Sequence, residues 1–161
     1  MQSSFETDRL WLHLLSIEDA SFMQALVNTS GWLQFIGDRK VHSHDDAIAY
    51  INRILAMPNL SYWVVSTKED NTSVGIISFL KRDYLEHFDI GFAFLPQQNG
   101  KGYAYEAAKA VLDYVLQTHE KVLATTIPTN TSSIKLLNKL GLRFDKEIIL
   151  DEKPLLVYTT V

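Results

Sequence analysis

Apolar residues along this chain follow two different periods, and the switches between them divide it into elements. Arg9 to Leu15 alternates, with Leu10, Leu12 and Leu14 on one side and Trp11 and His13 on the other, which predicts a strand. Ser16 then precedes Asp19 by three residues, a variant capping box, and Ile17, Ala20, Met23 and Val27 follow at helical spacing. Trp32 to Val41 carries neither period cleanly, with Gly31 and Gly37 as breaks. Ser43 caps a second predicted helix, whose stripe of Ala47, Ile48, Ile51, Ile54 and Leu55 stops before Pro58. Tyr62 to Ser66, Val74 to Leu80 and Phe88 to Leu95 are β-branched and aromatic runs, the first two separated by the polar turn Lys68 to Asn71. Three strands in succession predict an antiparallel meander.

Beyond Pro96 the helical period returns, with Ala104, Ala107, Ala108, Val111, Leu112 and Val115 as its stripe. Val122 to Ile127 predicts a strand. Thr129 or Asn130 can cap a shorter helix with Ile134, Leu137 and Leu140 inward, ended by Gly141 in the left-handed conformation. Arg143 to Leu150 and Leu155 to Val161 flank the turn Asp151 to Pro154 as a hairpin. The expectation is one α/β (α+β) domain over residues 1–161, with about seven strands and four helices.

Composition narrows the function classes. A chain of 161 residues with 47% hydrophobic positions can bury one real core. Net charge is −4 with no basic cluster, which argues against a nucleic-acid partner. Without cysteine there is no disulfide, thiolate metal site or cysteine nucleophile, in keeping with an intracellular setting. The N-terminus lacks a basic-then-apolar leader, and no apolar run nears the ~18 residues of a membrane span. These features predict a soluble cytoplasmic protein with no membrane partner. His42 and His44 beside Asp45 and Asp46 suggest helix capping and solvation more than a metal site, so no metal is expected.

The segment with the most chemistry is Pro96 to Ala107. Gly100 and Gly102 allow a tight turn that brings several N–H groups together, and the helix start adds unpaired donors and a positive dipole end. Such a unit suits a phosphate or pyrophosphate. It is not a nucleoside-triphosphate loop, because Lys101 lies between the glycines instead of after them. It is not a dinucleotide fingerprint either, since Tyr105 occupies the last glycine position.

Several spaced segments together resemble the GNAT superfamily of acetyl-CoA-dependent N-acetyltransferases, over nearly the whole chain. Gln97-x-x-Gly100-x-Gly102 is similar to its Gln/Arg-x-x-Gly-x-Gly/Ala signature. Asp89-Ile90-Gly91-Phe92, Gly102-Tyr103-Ala104-x-Glu106-Ala107 and Asn130-x-x-Ser133-x-x-Leu136-x-x-Lys139-Leu140-Gly141 resemble the branch that acetylates ribosomal-protein N-termini. Thr7-Asp8-Arg9-Leu10 and Ser43-x-Asp45-x-Ala47-x-x-Tyr50-Ile51 resemble it too.

The resemblance implies a mixed, strongly twisted sheet in which the strand before the loop and the strand at Val122 to Ile127 run parallel and splay apart. It implies that the pantetheine of acetyl-CoA lies in that V against the backbone of Phe92, Ala93 and Phe94. The N–H groups of Gln98, Asn99, Gly100, Lys101, Gly102, Tyr103 and Ala104 would hold the pyrophosphate, with Gln97 in the signature. Lys101 could face a phosphate or simply be solvated. Asn130 would contact CoA and cap its helix. The implied reaction is direct attack of a primary amine, from a protein N-terminus or a small molecule, on the thioester.

Glu86 is the preferred base for that attack, with His87 and Asp89 nearby. Leu137 stands where many relatives carry a tyrosine acid, leaving Ser133 as the candidate donor to sulfur or as a local backbone binder. The loss of that tyrosine also admits a silent CoA-binding sensor. Glu106 reads as an anchor. Trp32, Phe35 and Tyr50 suit either an acceptor wall or the core, and Tyr103 and Tyr158 take no assigned role. An exposed C-terminal strand could pair two chains as a homodimer.

Overall fold

Residues whose neighbours are apolar on both faces lie at the centre of the sheet. In the computed structural model, which describes Met1–Val161, β3 (Leu60–Thr67) alternates Trp63 and Val65 into one core with Val64 into another, and all three are fully buried. That double burial explains why its sequence is continuously apolar and not alternating. Four antiparallel pairings run from β1 (Ser4–Glu6) through β2 (Leu10–Leu14), β3 and β4 (Ser73–Leu80) to β5 (Asp89–Phe94). β6 (Leu123–Thr126) is parallel to β5, and the order ends β6-β8-β7, with β7 at Arg143–Leu150 and β8 at Lys153–Thr159.

The sheet therefore has eight strands, against about seven expected, and five α-helices flank it instead of four. The additional strand, Ser4–Glu6, is only three residues long, too short to show a period. The additional helix, α2 (Ser30–Phe35), begins after Thr29, whose side chain accepts from Trp32 N, within the segment that carried no clear period. The other helices are α1 (Ala20–Val27), α3 (His44–Ala56), α4 (Tyr103–Val115) and α5 (Thr131–Lys139). Helices α1 to α3 pack on one face around Met23, Leu26, Ile51 and Val64, and α4 and α5 cover the other around Trp63, Phe79, Val111 and Leu137. Each such fully buried side chain contributes ~1.5–3 kcal/mol.

Local chemistry ends the elements where the sequence indicates. Ser16 and Asp19 form the capping box. Ser43 accepts from Asp46 N while Asp46 accepts from His42 N, so the His/Asp cluster closes a helix start. After α5, Gly141 adopts φ +95 and Leu142 N donates to Leu137 O, a Schellman ending that tucks Leu142 beside Leu137 in the core. The hairpin turn is tighter than expected: Asp151 and Glu152 both have positive φ and Leu150 pairs directly with Lys153. No helix is long and apolar enough to cross a membrane.

The expected exposed C-terminal strand is corrected by the topology. β8 lies between β6 and β7, and the sheet edge is β7, whose Arg143, Asp145, Lys146 and Glu147 suit a solvated edge. Leu156, Val157 and Tyr158 are the more apolar run, so they take the central place.

Gly75 pairs with Phe94 across β4 and β5, and the Phe94 ring covers it so closely that an added Cβ would lie 2.4 Å from the ring. Gly75→Ala is expected to cost about 1–3 kcal/mol of stability by displacing that ring. Urea unfolding checks this; a loss below ~0.5 kcal/mol would show that the ring moves freely.

Candidate active site

β5 and β6 share one register pair, Asp89 with Leu123, next to a bond of 2.9 Å from Leu123 N to Phe88 O. Beyond that point they diverge. β5 stays bonded to β4 through Phe94 and β6 to β8 through Thr126, so each keeps an unpaired edge towards the gap. The gap opens into a cavity of about 1200 Å³. That exceeds the usual 300–1,000 Å³ for one small ligand and leaves room for two substrates.

At one end of the gap the chain makes a short turn, Pro96–Gln98, and then passes Gly100 and Gly102, both at φ +81, into α4. The amides of Gln98 and Asn99 are satisfied by Leu95 O and Pro96 O. Those from Gly100 to Tyr105 donate to no protein acceptor. The expected cradle of Gln98 to Ala104 is thus shifted: six successive free N–H groups, Gly100 to Tyr105, surround the positive end of the α4 dipole. Such an array suits an anion of phosphate type.

This loop is braced from outside by the residues just before β2. Glu106 accepts from Thr7 Oγ1, from Arg9 N at 3.0 Å and from Arg9 Nε at 2.7 Å, while Arg9 Nη1 donates to Lys101 O at 2.8 Å. Arg9 also covers the Tyr103 ring at 4.7 Å. Burial pushes the Glu106 carboxyl pKa up, but these hydrogen bonds and the Arg9 charge hold it below its usual value. Glu106 is therefore an anchor, as expected from its place in the first helical turn.

The other expected residues divide. Phe92, Ala93, Phe94, Gln98, Asn99, Gly100, Gly102, Tyr103, Ala104, Asn130 and Ser133 all line the cavity. Gln97 and Lys101 do not, and Lys101 Nζ reaches Gln98 Oε1 at 3.2 Å. Asn130 caps α5 by accepting from Ser133 N at 3.2 Å, and Ser133, whose hydroxyl makes no hydrogen bond within the protein, lines the cavity. Leu137 is 1% exposed. Glu86 is exposed and outside the cavity. Tyr158 is buried, edge-on to Phe144.

Trp32, Phe35 and Tyr50 line the far wall, and Trp32 is at the same time part of the core. The sequence reading missed Arg39 and Tyr62, and also Arg82 and Tyr84 near Asp89, which line the same cavity. These lie in segments without a motif, where only the fold brings them together. Asp89 is the one carboxylate lining the cavity. It is 3% exposed, with Arg82 Nε at 3.1 Å from Oδ2. Burial raises its pKa from the ordinary aspartate value, against the opposing Arg82 charge.

The Glu106 brace has a pH signature. Its folded pKa lies below the unfolded value near 4.5, so its stabilisation is complete above that value and is lost as pH falls through the folded pKa. Thermal melts should lose stability on acidification more steeply for the wild type than for Glu106→Gln; equal slopes would contradict the brace.

Known proteins agree with this geometry. Residues 9–143 match the family model described as Acetyltransferase (GNAT) domain. The uncharacterized N-acetyltransferase YnaD of Bacillus subtilis is 28% identical over 85% of this chain and 81% of its own. A GNAT-family acetyltransferase from Bacillus anthracis superposes with TM-score 0.80 at 25% identity, covering 97% of this chain and 96% of its own. The ribosomal-protein-S5-alanine acetyltransferase from Vibrio fischeri shares the fold at TM-score 0.82 and 18% identity, over 99% and 97% of the two chains. With the family model matching most of its length, this chain belongs to the GNAT acetyltransferase family and is an acyltransferase.

Proposed function

We propose that the protein transfers the acetyl group of acetyl-CoA to a primary amine, of a small molecule or a protein N-terminus, by direct attack and without an acyl-enzyme. One observation carries this reading: the free edge of β5 leads, through the short turn Pro96–Gln98, to six unbonded amides at the start of α4. A strand edge can pair with the amides of pantetheine, and the amide array can bind a pyrophosphate. Asn130, at the mouth of α5, is positioned for the same ligand.

The thioester then lies near the narrow end of the V, beside Asp89. Glu86 is exposed and outside the cavity, so the base role goes to Asp89. Its carboxylate takes one proton from the acceptor ammonium, and the neutral nitrogen attacks the carbonyl carbon. A free N–H on the β5 edge donates to the developing oxyanion. As the adduct collapses, the C–N bond stays, the C–S bond breaks, and the second proton leaves nitrogen and ends on sulfur by way of Ser133 Oγ. The products are the amide and CoA thiol.

Thiol release from acetyl-CoA against an amine panel tests the reading. Asp89→Asn should lower kcat by about 10²-fold or more and remove the acidic limb of the pH–rate profile, with CoA binding and melting measured alongside. Ser133→Ala should lower kcat about tenfold with CoA affinity kept. Gly102→Ala strains a left-handed backbone by about 1–2 kcal/mol and brings a Cβ to 3.2 Å from Arg9 Nη2. It should weaken CoA binding about tenfold or more. CoA binding with no turnover on any amine would support a silent sensor instead.

A further inference from the structure

The far wall of the cavity is short of negative charge, and this bears on the acceptor. Among all the cavity-lining residues the ionised side chains are Arg39, Arg82, Asp89 and Lys139. Lys139 belongs to the loop end, where its ammonium lies 4.3 Å from the Tyr105 ring centre. Asp89 and Arg82 pair with one another and cancel. Arg39, between α2 and α3, forms no ion pair with any carboxylate. The unbalanced charge of the acceptor side is therefore a guanidinium.

Its surroundings are hydrogen-bond donors. Tyr62 is 9% exposed, and burial raises its hydroxyl pKa well above the usual value, with Tyr50 adding to the rise and Arg39 opposing it. It stays protonated at physiological pH and can donate. Tyr50 lines the same wall. Trp32, 5% exposed, has an indole N–H that is buried without any acceptor in the protein. A buried donor left unpaired is costly, and Trp32 belongs to the cavity wall.

We propose that the acceptor is a small-molecule amine carrying an anionic oxygen group, a carboxylate or a phosphate, at the end remote from the amine. This rests on the acetyltransferase reading and specifies its substrate class. Arg39 holds the anion, with Tyr50 and Tyr62 as further donors, and the amine points towards Asp89. A polycationic amine would bring its second charge against Arg39 with no carboxylate to receive it, so the modest net charge of −4 does not translate into a polyamine site.

The test compares pentylamine, 1,5-diaminopentane, 5-aminopentanoate and 3-aminopropylphosphonate in thiol release, with calorimetric titration of each into the CoA complex. Expected is a kcat/KM for one of the two anionic amines about 10- to 100-fold above pentylamine, with the diamine lowest. The carboxylate and phosphonate arms tell the two anions apart. Arg39→Gln should bring the anionic-to-neutral ratio near one through KM, and Arg39→Lys should restore part of it. Lys146→Gln, which removes the same charge from exposed β7, should leave the ratio as it was. Preference for the diamine, or an unchanged ratio in Arg39→Gln, overturns the proposal. Release of no thiol from any amine overturns the acetyltransferase reading. The anion site is then decided by calorimetry, where equal binding of 5-aminopentanoate and pentylamine refutes it.

Discussion

The cavity at the centre of this molecule depends on a sheet pairing that stops after one residue pair. Asp89 and Leu123 meet, and the strands then part. Leaving strand edges unpaired inside a protein costs about 1–3 kcal/mol for each buried group without a partner. Here the cost is avoided because the edges face an open cavity of about 1200 Å³, where water or a ligand can satisfy them. The parting is maintained from outside, since β4 holds β5 along its length and β8 holds β6. The interior position of β8 is therefore part of the site's architecture.

The second constraint is on the loop. Free amides from Gly100 to Tyr105 are useful only if held in one arrangement, and two residues at φ +81 alone would not ensure that. A single carboxylate, Glu106, receives three hydrogen bonds from Thr7 and Arg9, while Arg9 reaches Lys101 O. An exposed ion pair is worth only ~0.2–1 kcal/mol, so the value of this one lies in positioning. It ties the first long strand to the loop, about ninety residues away in sequence.

How much of this was legible beforehand depended on the range of the interaction. Period, caps and glycines are local, and they located seven of the eight strands, four of the five helices, the α5 Schellman ending and most of the loop residues. The failures have physical causes. Ser4–Glu6 is too short for a period, and Ser30–Phe35 is a helix of fewer than two turns. Placing β8 inside β7 depends on which strand offers the better apolar match to β6, a comparison that no single segment contains. Gln98 looked like part of the anion cradle, but its amide is consumed by Leu95 O. The far wall of the cavity was least legible of all. Arg39, Tyr62 and Arg82 come from two loops and a strand and share no motif, so only the folded chain shows that they line one cavity.

The central claim is that the free edge of β5 and the amides after Gly100 form one continuous donor site. Hydrogen–deuterium exchange, read by peptide with and without CoA, tests it most directly. The account predicts that CoA slows exchange together in Gly91 to Phe94 and in Gly100 to Tyr105, with β7 unchanged. Protection confined to the loop, or appearing on β7 instead of β5, would contradict it.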